Sequence, residues 1–163
     1  TLHTNDAAGA VPRLVDLGAK TSIIGPAINI IIAQRLIRKL CDYCKVEVAP
    51  DEIILNKIKG FIDGLPEKTR LLYANLAPKF YEAKGCPKCH EGFKGRVGIF
   101  EFLKFGDEME ALIAHEATEE AIKKLGRSQG MVEMQGDGVL KAVSGLTTLK
   151  EVERITGPID WLS

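Results

Sequence analysis

The stretch TLHTNDAAGA (residues 1–10) decides the fold class. Thr1 and Leu2 read as the end of a buried strand. His3, Thr4 and Asn5 read as a polar turn, and Asp6 as the cap of a helix. A strand that passes through a polar turn into a helix is the repeating step of α/β folds. The helix is expected to run through Val11, Leu14, Val15 and Leu17 and to close at Gly18, with Pro12 inside it as a source of a kink. The stretch has no charged leader before an apolar run, so it does not read as a signal peptide.

Beyond it, a second helix is expected from Ser22 to Ala33, then a short strand over Arg35–Leu40. Ile23–Ala33 is the longest apolar stretch. Gly25, Pro26 and Asn29 interrupt it, and it is too short to span a bilayer, so no transmembrane segment is expected. Residues 41–91 read as a different unit, with an amphipathic helix (Ile53, Ile54, Leu55, Ile58, Ile62), a Gly-Leu-Pro break and a short helix near Glu67–Leu76. Gly92–Gly98 is expected to be a tight hairpin entering a strand at Ile99–Leu103. The remainder is helical: Asp107–His115, Thr118–Gly126, Val132–Val143 and Thr148–Ile155, with Thr147 or Thr148 and Glu151 forming a capping box.

The 163 residues are enough for one or two domains, and 45% hydrophobic with 27% charged side chains is the balance of a globular protein. The formal net charge is zero, which weighs against a nucleic-acid binder. With no export signal the default compartment is the cytosol, where four cysteines imply metal or redox chemistry rather than disulfides.

The strongest chemical signal is Cys41-x-x-Cys44 with Cys86-x-x-Cys89. Two such knuckles supply the four thiolates of a closed structural zinc site. Disulfides and free buried thiols are the alternatives on the residues alone. The 41-residue interval between the knuckles is longer than in common zinc ribbons. His90 follows the last cysteine and is a less apt ligand than the four thiols. His3 stands where a strand ends, and strand ends are where α/β folds build ligand sites. Taken alone, a turn histidine beside a helix cap is the stronger reading of it. Arg35 and Arg38, in Gln34-Arg35-Leu36-Ile37-Arg38, carry the donor fork that suits phosphate, but a solvated strand face accounts for them equally. The chain contains no GxxxxGK[ST], HExxH or GxGxxG, so it assembles no catalytic set by itself.

In order, TLHTNDAAGAVPRLVDLG, AQRLIRKLCDYC, GCPKCHEGFKGRVGIFEFL and GM…GDGVLKAVSGLTTLKEV resemble the C-terminal part of the secretion ATPases, the motors of type II secretion and type IV pilus assembly. The resemblance implies an α/β fold: the C-terminal portion of a RecA-like ATPase domain with a tetracysteine zinc-binding insertion and a helical C-terminal subdomain. The corresponding segments are 1–40, 41–91 and 92–163. His3 matches the histidine of the family's His box, which faces the γ-phosphate region of the nucleotide, and Thr4 stands beside it. Arg35 falls in the QRL motif and Arg13 in an RL-D-G helix; either is expected to reach phosphate or a neighbouring subunit. Cys41, Cys44, Cys86 and Cys89 match the zinc-binding tetracysteine motif, which retraction-type motors lack.

The resemblance further implies ATP and Mg2+ as ligands of the parent protein, and a homo-hexamer. It also implies an inner-membrane platform protein as partner and a cytoplasmic position at the inner face of the membrane. The phosphate loop and Walker B acid precede the His box in that family, so this chain alone is expected not to hydrolyse ATP. The apolar Ile23–Ile32 face is expected to lack part of its burial partner. The reading from a different class is a free-standing zinc-ribbon interaction module that binds nucleic acid, motivated by the CxxC pairs and by Arg35, Arg38 and Lys39. Salt-dependent binding to DNA or RNA separates the two.

Overall fold

The structure, a computed structural model, describes residues 3–73 and 78–162. The strand end expected at Thr1 and Leu2, and Leu76 at the end of an expected helix, lie outside these residues. In chain order the first elements are α1 (Ala10–Asp16), α2 (Thr21–Ala27), β1 (Ile30–Leu40), β2 (Lys45–Val48), α3 (Glu52–Asp63) and α4 (Glu67–Tyr73). Then follow β3 (Phe80–Ala83), β4 (Phe93–Lys104), α5 (Asp107–His115), α6 (Glu119–Ser128), α7 (Met134–Val143) and α8 (Leu149–Thr156). A 3-10 turn over Asp160–Leu162 comes last. β1 pairs with β4, and β2 with β3. The chain is thus mixed α/β. It divides into two units, Thr1–Gln34 with Phe100–Met134, and Arg35–Ile99 with Gln135–Ser163.

In the first unit α1 closes as expected. Gly18 takes φ 92°, its N–H donates to Val15 O and that of Ala19 to Leu14 O, which together form a Schellman cap. Pro12 falls in the first turn, where its missing N–H removes no intrahelical bond. Asp6 accepts the N–H of Gly9, one residue outside the helix, so it caps the preceding turn. The second helix is shorter than the sequence pattern predicts. Pro26 lacks the N–H for its place in α2, and the chain leaves the helix after Ala27. Ile30–Ile32, which the helix was expected to include, begins β1 instead, because consecutive β-branched side chains are stiff at χ1 and favour extended backbone. Gly25 lets α2 approach α5 closely: a Cβ there would lie 3.3 Å from the Cα of Glu110. Ala7, Ala8, Val11, Ile24, Leu103, Met109, Ile113 and Ile122 form the core of this unit.

In the second unit the hairpin lies earlier than Gly92–Gly98. His90 and Phe93 exchange both main-chain bonds, at 3.1 and 2.9 Å, around Glu91 and Gly92. Their φ values of 50° and 83° are those of a type I′ turn. β4 then runs unbroken from Phe93, with Gly95 inside it at φ 80°. β2 and β3 are antiparallel, Lys45 opposite Ala83 and Val48 opposite Phe80. α7 ends in a second Schellman cap at Gly145, and Leu146 O accepts the N–H of Leu40 at 2.8 Å. Thr148 caps α8 through the N–H of Glu151, but the Glu151 carboxylate does not complete the expected box; it turns to Arg38 and Arg154.

Candidate metal centre and loop site

β1 delivers Cys41 at its end. The N–H groups of Cys44 and Lys45 fold back on Cys41 O at 3.2 and 3.0 Å, which makes the first knuckle. Gly85 (φ 92°) turns the chain into the second, where Cys89 N–H donates to Cys86 O at 3.2 Å. The four sulfurs all lie within 4.8 Å of one another. Cys41–Cys86 is 3.9 Å, and Cys44–Cys89 and Cys86–Cys89 are each 3.6 Å. A tetrahedron of sulfurs about 2.3 Å from a zinc ion has edges of about 3.8 Å. A disulfide would require about 2.05 Å. The donor set and its spacing therefore fit one tetrahedral, thiophilic ion.

Cys41 is buried, and the other three cysteines are half-buried. Burial, with the Cys89 contact, pushes the Cys44 thiol up to about 12. Burial acts the same way on Cys89, but the N–H of Cys86 and the neighbouring thiols hold it down at about 7. His90 is outside the cluster, its side chain 91% exposed. Lys88 lies over the Tyr43 ring at 4.2 Å beside the knuckles.

The loop carrying His3 belongs to the first unit. His3 is exposed and Thr4 half-buried. The Thr4 hydroxyl donates to Asp6 O at 2.9 Å. Asp6 accepts from Gly9 N–H at 2.9 Å and from the Lys123 ammonium at 3.0 Å. Burial works against the Asp6 charge, but Gly9 N–H and Lys123 hold this carboxyl below the usual range. Arg13 is exposed on α1 in the same unit, whereas Arg35, half-buried on β1, and the cysteines belong to the second.

A family model described as "Type II/IV secretion system protein" matches residues 1–154. The chain belongs to this family. It is 38% identical over 157 residues to the type IV pilus assembly ATPase PilB of Pseudomonas aeruginosa, covering 96% of this chain and 26% of that protein. It is 39% identical over 153 residues to the protein of the same name from Thermus thermophilus, covering 93% and 16%. With the type II secretion system ATPase E of Vibrio cholerae it shares 38% over 157 residues, covering 96% and 29%. The chain thus spans between 16% and 29% of the length of these secretion-family relatives. No helix among the described residues is long and apolar enough to cross a membrane.

Two buried carboxylates of this secretion-family chain, Glu151 and Glu101, carry no site signal in the sequence reading. Arg38, read as a phosphate or surface arginine, is committed to Glu151, whose side chain is 1% exposed. The i, i+3 spacing of Glu151 and Arg154 on α8 was the available signal for that cluster. Glu101, on β4, is 1% exposed. Its Oε1 accepts Ala7 N–H at 3.0 Å and its Oε2 accepts Met134 N–H at 3.1 Å. Burial raises its pKa, opposed by those two donors. A single acid among apolar neighbours of a strand was its only mark in the sequence.

Proposed function

We propose that this chain is the C-terminal portion of the RecA-like, hexameric ATPase that powers type IV pilus assembly or type II protein secretion. The observation that carries the reading is the similarity, over 96% of the chain, to proteins named as pilus assembly and secretion ATPases. Residues 1–40 would belong to the ATPase core, 41–91 to a tetracysteine zinc unit, and 92–163 to a helical subdomain. Cys41, Cys44, Cys86 and Cys89 hold zinc as a brace, since four thiolates fill its shell and leave no position for substrate.

His3 and Thr4 face the γ-phosphate end of ATP, where the imidazole senses phosphate or aligns the attacking water. Arg13 and Arg35 reach phosphate or the neighbouring subunit. ATP and Mg2+ bind together with a phosphate loop, and residues 1–163 contain no GxxxxGK[ST] stretch. This segment alone therefore does not hydrolyse ATP. The motor works in the cytoplasm and is held at the inner face of the membrane by a platform protein, to which nucleotide-driven motion is passed.

The test is phosphate release by the complete ATPase that carries this segment. His3→Ala is expected to lower turnover by about 10²-fold or more, the scale of a lost general base or electrostatic stabiliser. A complete protein without ATPase activity, or a His3→Ala variant with full turnover, overturns the reading.

A further inference from the structure

We infer that Glu101 is a positioning residue for the His3–Thr4 loop, with Lys123 as the second anchor. The inference rests on the proposed nucleotide-facing role of His3. Residues 3–9 lie outside any helix or strand, and side-chain ties join main-chain bonds and the buried Ala7 and Ala8 in setting their geometry. Internal ties include Thr4 Oγ1 to Asp6 O and Gly9 N–H to Asp6 Oδ1. Others reach neighbouring elements. Ala7 N–H donates to Glu101 Oε1 from β4, and Asp6 Oδ2 accepts Lys123 Nζ from α6. The internal ties make 4–9 one piece; these external ties help fix that piece to the unit's core.

The choice of a carboxylate supports the assignment. Filling this buried position would need only an apolar side chain, and burying a charge is costly. A carboxylate alone offers an acceptor on both arms, which is what the facing N–H groups of Ala7 and Met134 require. Glutamine would turn an N–H toward one of them. Lys123 also lies 3.6 Å from Glu133, so the ammonium is held between Asp6 and Glu133 and is not free to swing away. Ala7 stands four residues after His3, and a shift at Ala7 is carried along the tied loop to the imidazole. Ångström-scale misplacement of this kind slows catalysis far more than it weakens binding.

The experiment uses the complete ATPase with Glu101→Ala, Glu101→Gln and Lys123→Met, and Lys124→Met as control. Lys124 is exposed on the same helix and changes charge equally. Hydrogen exchange without nucleotide is expected to show faster exchange over residues 3–8, the Ala7 amide included, in Glu101→Ala and Lys123→Met but not in the control. The kcat should fall by about 10²-fold in Glu101→Ala with KM for ATP nearly unchanged, and by less in Glu101→Gln. In a His3→Ala background, Glu101→Ala should add almost nothing.

Unchanged exchange over 3–8, or a Glu101→Ala effect that multiplies fully with His3→Ala, overturns the inference. If His3→Ala alone keeps full kcat, the nucleotide-facing role of His3 fails instead, while the exchange result still decides whether Glu101 holds the loop. Should Glu101→Ala not fold, Glu101→Gln supplies the same tests, since it removes one of the two acceptors that face Ala7 and Met134.

Discussion

Arg38 on β1 and Glu151 on α8 stand 113 residues apart and are joined three times: Arg38 main-chain N–H and Nε at 3.0 Å, and Nη2 at 2.9 Å. Arg154 adds Nε at 2.8 Å and Nη2 at 2.6 Å, so a buried carboxylate lies between two guanidinium groups. Thr147 closes the arrangement by donating to Arg38 O at 2.9 Å. Removing Arg38 leaves the Glu151 charge buried with one partner. Arg38→Ala should cost roughly 2–5 kcal/mol in urea unfolding. A change below about 0.5 kcal/mol would place the pair among ordinary surface bridges.

The same carboxylate sets an acid limit. Burial opposes its charge, but the Arg154 and Arg38 donors hold Glu151 at about 2, against an ordinary value of 4.5. A folded-state pKa below the unfolded one means the stabilisation is complete above about pH 4.5 and drains away as pH falls toward about 2, amounting to roughly 3 kcal/mol. Denaturation curves between pH 5 and pH 2 should show this slope, and Glu151→Gln should flatten it. An equal slope in the variant would assign the acid sensitivity elsewhere.

The sulfur cluster predicts one ion per chain by elemental mass spectrometry. Cys86→Ser should reduce the metal content and loosen the knuckles. Chelation should raise hydrogen exchange over residues 41–48 and 80–93 while leaving the helices of the first unit as protected as before. Metal-free protein with unaltered exchange in those segments would remove the structural role.

Two glycines of the second unit separate backbone strain from crowding. Gly95 (φ 80°) has open space around the place a Cβ would take, so Gly95→Ala should cost about 1–2 kcal/mol for the left-handed backbone alone. Gly92 (φ 83°) would put its Cβ 2.6 Å from that of Ala83, so Gly92→Ala should cost about 1–3 kcal/mol more through overpacking. Equal melting temperatures for the two variants would show that β3 yields freely.

What could be read in advance followed from local chemistry. Gly18, Thr118 and Thr148 act within a few residues of themselves, and the structure places each in the local role its chemistry implies, while the two CxxC pairs bring four sulfurs within 4.8 Å of one another. The boundary between α2 and β1 escapes a local pattern because Ile28–Ile32, aliphatic but for Asn29, has no telling period, and Pro26 with β-branching settles it. The turn at Glu91–Gly92 was hidden by a glutamate at positive φ, which the adjacent glycine and the His90–Phe93 ladder impose. Glu101 and the Arg38–Glu151 pair depend on partners 94 and 113 residues away, beyond the reach of any local pattern.

The closeness of the knuckles has a consequence for the 41 residues between them. Cys44 and Cys86 bound that excursion, and their sulfurs belong to one cluster less than 5 Å across. The chain therefore departs and returns at nearly one point, clasped by the same four atoms. Closure entropy rises only slowly with loop length, by about 0.6 kcal/mol per doubling. Lengthening the excursion at an exposed point therefore adds little closure cost, while its own contacts with the second unit, Phe61 stacked on Trp161 and Lys79 N–H donating to Val143 O, tie it down away from the cysteines.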